Sequence, residues 1–196
     1  MEHAFSNIFN KDLWQSNRKY KESKSGAGSY LKNTENLRRE LPLLLKKYDI
    51  KSILDIPCGD MHWMSKLDLN IDYVGSDIVP ELIEENKRNY PNKNFKVLDV
   101  VNDKLPQMDL ILCRDCFVHL PLEYIKLAIS NIRKSGIKYM LVTSFPVEIN
   151  KNISLGRWRP LNMQIEPFDL EAIEIIQENE KYKRQYQKQL LLVKFF

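Results

Sequence analysis

Short apolar runs alternate with amphipathic stretches along most of this chain. Leu37, Leu41, Leu44 and Leu45 recur at helical spacing between Thr34 and Tyr48, interrupted by Pro42, which predicts a kinked or restarted helix. The run from Lys51 to Ile56 reads as a buried strand, and Met61 to Leu67 after its turn as a short helix. Further strands are predicted at 72–78, 94–100, 108–113 and 138–145, with helices at 80–89 and 122–134 between them. Strands and helices in this alternation imply a mostly parallel sheet with helices on both faces and a ligand site at the carboxyl ends of the strands. After Pro146 the pattern breaks into a long polar segment, Glu148 to Pro160. Two more strands, 172–176 and 189–195, flank the polar Gln177 to Lys188, consistent with a turn joining an antiparallel pair. Residues 1 to about 30 are polar and irregular, with Phe5, Ile8, Phe9 and Trp14 as apolar anchors and Ser25 to Ser29 as a glycine-containing loop. The expectation is one domain over 1–196, an N-terminal arm at 1–33 and a Rossmann-like core at 34–196.

Bulk composition narrows this picture without changing it. The 196 residues, 43% hydrophobic and 29% charged, suit one folded domain with a full core. No run approaches the roughly 20 apolar residues of a membrane span, and the polar N-terminus lacks a signal-peptide core, so a cytoplasmic protein is expected. Cys58, Cys113 and Cys116 are an odd number and fit a reduced compartment. Cys113 and Cys116 form a C-x-x-C, but a zinc site wants a second ligand pair at matching spacing, and only His3, His62 and His119 are on offer, so no metal is expected. The net charge of +4 permits an anionic substrate and gives no footprint for nucleic acid.

The chemistry centres on the end of the first strand, Asp55-Ile56-Pro57-Cys58-Gly59-Asp60. Pro57 stops further strand pairing, and Gly59 turns the chain with no side chain in a ligand's way, which suits a nucleotide. Asp77 ends the next strand at about the 20-residue spacing with which Rossmann-like units hold ribose hydroxyls. The lesser alternative is a carboxylate that only caps the helix that Val79-Pro80-Glu81 opens.

The stretch from Asp55 to Asp60 also resembles motif I of the class I methyltransferases, which bind S-adenosylmethionine at the tip of their first strand. Asp55 and Gly59 fit that motif, whereas Pro57 and Asp60 depart from its glycine-rich form. With Trp63 following, and with Ser25 to Ser29, Asp77 to Leu82 and Gly156 to Pro160, the chain is most similar to small bacterial methyltransferases of capsule and surface-polysaccharide biosynthesis, including those linked to O-methyl phosphoramidate. The resemblance implies a Rossmann-like α/β fold, with a mostly parallel seven-stranded sheet and a C-terminal antiparallel hairpin. It implies S-adenosylmethionine as cofactor and S-adenosylhomocysteine as product. Trp14, Gly28 and Ser29 would fold over the cofactor. Asp55, Pro57, Cys58, Gly59, Asp60, Trp63, Asp77 and Ile78 would form its cradle, while Asp99 and Val100 would meet the adenine. The acceptor it implies is a small molecule, anionic or sugar-linked, methylated on oxygen.

Residues beyond the fourth strand bear on catalysis. His119 titrates near neutrality and is the candidate base, with Asp115 four residues earlier to orient it if the backbone there is helical; otherwise His119 packs or caps the next helix. Arg114 meets the methionyl carboxylate or the acceptor. Arg157 and Arg159 flank Trp158 and, in an extended segment, point to one side and clamp an anion; the other reading is an exposed basic loop. A nicotinamide oxidoreductase would want G-x-G-x-x-G, which is missing, and a nucleic-acid methyltransferase a stronger basic stripe. A non-catalytic relative of the same fold stays open.

Overall fold

The structure, a computed structural model, describes residues 1–15, 22–178 and 187–196. Among the described residues four α-helices, α1 (Glu2–Asn10), α2 (Glu35–Lys47), α3 (Pro80–Asn89) and α4 (Leu122–Lys134), accompany seven strands. The strands are β1 (Ser52–Asp55), β2 (Asp72–Asp77), β3 (Asn94–Val97), β4 (Leu110–Cys113), β5 (Tyr139–Ser144), β6 (Ala172–Gln177) and β7 (Gln189–Lys194). They form one sheet in the order β3-β2-β1-β4-β5-β7-β6, with β7 antiparallel to both its neighbours and the other pairs parallel.

The apolar run of each central strand is explained by burial on both sides. On one face Ile53, Leu110, Leu112 and Leu141 pack beneath Leu37, Leu41, Leu44 and Leu45 of α2 and Ile83 of α3. On the other, Leu54, Ile111, Met140 and Val142 meet Ile125, Ala128, Ile129 and Ile132 of α4. Leu161, Met163 and Leu170 join this second face from the irregular segment between β5 and β6. Closing β4 and β5 under two layers buries every one of their residues.

Several elements differ from the sequence reading. Residues 2–10 are helical, since Phe5, Ile8 and Phe9 at i, i+3 and i+4 give α1 one apolar face. Pro42 interrupts nothing: α2 runs through it as one helix. The helix expected over 61–67 shrinks to a single 3-10 turn, Met64–Lys66. Met61 adopts φ 60°, the left-handed region that an α-helix does not pass through, and Met61, Trp63 and Met64 are buried without it. β3 stops at Val97 because Asp99 turns the chain, its Oδ1 accepting from the Val101 amide at 2.8 Å. Of the polar turn expected over 177–188, residues 179–186 lie outside the described residues; Glu178 N–H donates to the Lys188 carbonyl at 3.0 Å.

Candidate active site

A cleft of about 990 Å³ opens at the carboxyl ends of β1, β2 and β4. Its floor is the turn after β1. Ile56 N–H donates to the Leu112 carbonyl (3.0 Å) and Cys58 N–H to Ser76 (2.8 Å), so the turn is tied to both neighbouring strands. Gly59 takes φ 57°, its amide donates to Asp77 Oδ2 at 3.3 Å, and its carbonyl accepts from Asn86 of α3 at 2.7 Å. Leu98 and Val100 wall the cleft from beyond β3, and Arg114, Asp115, Cys116, His119 and Leu120 from beyond β4. Met1, Phe5, Trp14, Ser25 and Ser29 come from the N-terminal arm.

Two carboxylates sit deep in this wall. Asp55, 2% exposed, accepts from the Tyr73 hydroxyl at 2.7 Å. Burial pushes its pKa up to about 7, against the pull of that hydroxyl and of Arg114. Asp77 accepts from the backbone amides of Gly59 and Val79, the latter at 3.1 Å, and burial still lifts it to about 6. Asp77 thus fastens the start of α3 and lines the cleft at once. Among the described residues neither carboxylate forms an ion pair.

Beyond β4 lies a buried ionic cluster. Arg114 donates from Nε to Glu178 Oε1 at 2.7 Å, from Nη2 to the same oxygen, and from Nη2 to the Gly28 carbonyl at 2.6 Å. Its guanidinium carbon stands 5.4 Å from the Trp63 ring centre. Lys188 Nζ reaches Asp115 Oδ2 at 2.6 Å and Glu178 Oε2 at 2.9 Å. Asp115 sits at φ 54°, held there by Lys188 and by its own amide on Thr143 Oγ1 at 2.8 Å. Although burial opposes it, the cations Lys188 and Arg114 hold this carboxyl well below the usual range.

His119 Nδ1 faces the Arg157 carbonyl at 3.2 Å. A carbonyl only accepts, so Nδ1 carries the hydrogen and Nε2 keeps its lone pair. Burial lowers the imidazole pKa, which keeps it neutral. The expected Asp115 to His119 bond is replaced by these partners, because the left-handed backbone at Asp115 breaks the helical spacing that would join them.

Of the residues singled out from sequence, Trp14, Ser29, Asp55, Pro57, Cys58, Gly59, Trp63, Asp77, Ile78, Val100, Arg114, Asp115 and His119 line the cleft. Gly28, Asp60 and Asp99 do not. Gly28 packs so close to Asp115 that a Cβ there would lie 2.8 Å from Oδ2. Asp60 clasps the arm, accepting from Ser23 Oγ (2.9 Å) and the Lys24 amide (2.7 Å). Asp99 is engaged by Val101 and Asn102. The arginine clamp is also corrected: Arg159 is buried and donates to the Lys151, Phe117 and Leu120 carbonyls at 2.8–2.9 Å, while Arg157 is exposed. The chain turns between Ser154 and Arg157, and the Arg159 amide donates to the Val118 carbonyl at 3.2 Å, so the segment is not the extended strand that alternation needs. Trp158 is half exposed with its ring edge on Phe145. The three cysteines are free thiols, pushed up by burial. Glu178, Lys188 and Tyr73, which the sequence reading passed over, complete the site; Glu178 and Lys188 sit in a polar run whose only signal is charge.

No family model matches this chain. It is 31% identical over 122 residues to "Putative methyltransferase 235L" of Invertebrate iridescent virus 6, covering 56% of this chain and 45% of that protein. The chain therefore spans less than half the length of this curated relative. Among solved structures it is similar to magnesium protoporphyrin IX methyltransferase from Synechocystis PCC 6803 with bound S-adenosylmethionine. The TM-score is 0.69 at 13% identity, over 99% of this chain and 97% of that one. It is also similar to the N-methyltransferase NodS from Bradyrhizobium japonicum WM9 in complex with S-adenosylhomocysteine, with TM-score 0.60 and 16% identity over 82% and 87% of the two chains. The fold is that of the class I methyltransferases, closing hairpin included.

Proposed function

We propose that this chain is an S-adenosylmethionine-dependent methyltransferase that methylates an oxygen of a small acceptor. The observation that carries the reading is the pair of buried carboxylates, Asp55 and Asp77, without cation partners among the described residues, in a cleft at the carboxyl ends of β1 and β2. Such groups are costly until a ligand satisfies them. The cofactor suits both: its ammonium would neutralise Asp55, and its ribose hydroxyls would donate to Asp77. Leu98, Val100 and Cys116 offer a mostly apolar wall for the adenine.

When bound, S-adenosylmethionine supplies a methyl group on a sulfonium, already activated for transfer. What remains for the chain is alignment, exclusion of water and proton removal. Met1, Phe5 and Trp14 cover the cleft with apolar surface. Neutral His119 offers Nε2 to take the proton that an acceptor hydroxyl loses, while Arg157, through its carbonyl, fixes the ring's tautomer.

For the acceptor we propose an anionic or sugar-linked molecule, such as a nucleotide-linked sugar or a phosphoramidate intermediate of capsular polysaccharide assembly. The sequence resemblance supports this, as does exposed Arg157 beside His119. Isothermal titration tests the first half: micromolar binding of S-adenosylmethionine and S-adenosylhomocysteine, about −8 kcal/mol, with none for NADH. Failure of both adenosyl compounds to bind refutes the proposal. The second half is tested by release of S-adenosylhomocysteine against a panel of nucleotide-linked and phosphorylated sugars, and turnover confined to acceptors that are neither anionic nor sugar-linked would reject it.

A further inference from the structure

The charges beyond β4 come in matched pairs. Arg114 and Asp115, which line the cleft and face each other at 3.4 Å, are each answered more closely by a residue of the closing hairpin: Glu178 pairs with Arg114, and Lys188 with Asp115 at 2.6 Å. Glu178 and Lys188 also pair with each other at 2.9 Å, so two cations and two anions form one neutral group, buried except for the partly exposed Asp115 at the cleft. Arg114, Glu178 and Lys188 are all under 10% exposed, which removes most of the water that would otherwise screen them. The geometry of Arg114 follows from this pairing: Nε and Nη2 both engage Glu178, leaving the guanidinium beside the cleft without net charge to project.

We propose that Glu178 and Lys188 set the charge of the donor site and thereby its preference between the sulfonium cofactor and its thioether product. The proposal rests on the S-adenosylmethionine reading above. Under it, the adenine and ribose ends belong to Val100 and Asp77, and the sulfonium end lies toward Asp55, Arg114 and His119. Without Glu178, Asp115 alone would be shared between Arg114 and Lys188, and the net positive charge left would repel a sulfonium there; Glu178 removes that repulsion. Lys188 acts with the opposite sign: without it Asp115 and Glu178 would share Arg114 alone, and the net negative charge left would attract the sulfonium. Both are positioning residues, acting through Arg114 and Asp115.

S-adenosylmethionine and S-adenosylhomocysteine share the adenosine, the ammonium and the carboxylate and differ in the methyl and its positive charge. The ratio of their dissociation constants therefore cancels general damage to the cleft and reads the local charge. Titration of the full chain at pH 8 with both compounds should show Glu178→Gln raising the ratio Kd(S-adenosylmethionine)/Kd(S-adenosylhomocysteine) on the order of five-fold, and Lys188→Met lowering it by a similar factor. Glu178→Asp, which keeps the charge, should stay near the wild-type ratio. If Glu178→Gln fails to fold, the downward shift in Lys188→Met decides alone. Equal effects on the two compounds, or shifts of the same sign in both variants, overturn the proposal while leaving the cofactor reading standing. A wild-type chain that binds neither compound overturns both.

Discussion

Asp55→Asn separates the cost of a buried charge from its use. The carboxyl is 2% exposed and its pKa stands at about 7 against an ordinary 3.8. A folded-state pKa raised above the unfolded one means that the folded chain holds the proton more tightly. Below about pH 4 both states are protonated and the residue is neutral toward stability. Stability then falls as pH rises, until the folded carboxyl has ionised near pH 7. At about 1.36 kcal/mol per pH unit, the climb from 3.8 to about 7 costs the unliganded fold roughly 4 kcal/mol, of which about 2.7 accrues above pH 5. Asparagine can still accept from the Tyr73 hydroxyl but leaves its own amide hydrogens to satisfy, a penalty of about 1–3 kcal/mol that does not vary with pH. Urea denaturation of wild type and Asp55→Asn should therefore show the variant gaining on wild type by about 2–3 kcal/mol between pH 5 and pH 8. S-adenosylhomocysteine should bind the same variant weakly. A stability gap that stays constant across that range would refute the account of Asp55 as a charge held for a cationic ligand.

Asp77→Ala should keep the fold and weaken S-adenosylhomocysteine at least about ten-fold by titration, since a good charged hydrogen bond is worth about 1.5–3 kcal/mol. In wild type the same affinity should fall as pH drops below about 7 and then about 6, as Asp55 and Asp77 take up protons. Arg159→Ala removes hydrogen bonds to three carbonyls, two of them buried partners, and should cost about 3 kcal/mol or more in urea denaturation, whereas exposed Arg157→Ala should stay within about 0.5. Gly59→Ala puts a Cβ 2.3 Å from Ser25 Oγ at a backbone position with φ 57°; it should loosen the arm and speed tryptic cleavage after Lys24, and unchanged cleavage would count against the clasp at Asp60.

What was legible in the sequence follows from what burial does to composition. The parallel strands β1, β4 and β5 are covered on both faces, so each is a nearly unbroken apolar run, and Asp55 stands out as the charge that ends the first; Asp77 ends the more polar β2 and was legible by its spacing from Asp55. The clamp at Arg157 and Arg159 failed for a local reason. Alternation holds only in extended backbone, and here the chain leaves a turn at Arg157 and is tied to the loop beyond β4, the Gly156 and Arg159 amides donating to the His119 and Val118 carbonyls, with the Arg159 side chain turned inward. Asp99 illustrates the same limit, because a short carboxylate at a strand end can satisfy its own turn before it meets a ligand.

Glu178 and Lys188 needed something that no local pattern holds. In a run as polar as Gln177 to Lys188, each charge reads as solvated, and only the order of strands shows otherwise. β7 lies antiparallel to β5, with Gln189 opposite Ser144, so the residue that precedes β7 arrives just past the carboxyl end of β5. β5 is in turn parallel to β4, with Val142 opposite Cys113, and Asp115 lies just past the carboxyl end of β4. Lys188 is delivered to Asp115 by that register, and Glu178, bonded to the Lys188 backbone across the hairpin, comes with it. A strand reversed in an otherwise parallel sheet brings its start, and the end of its partner, to the edge where the cleft opens. The closing hairpin thus completes the sheet and charges the site with the same residues.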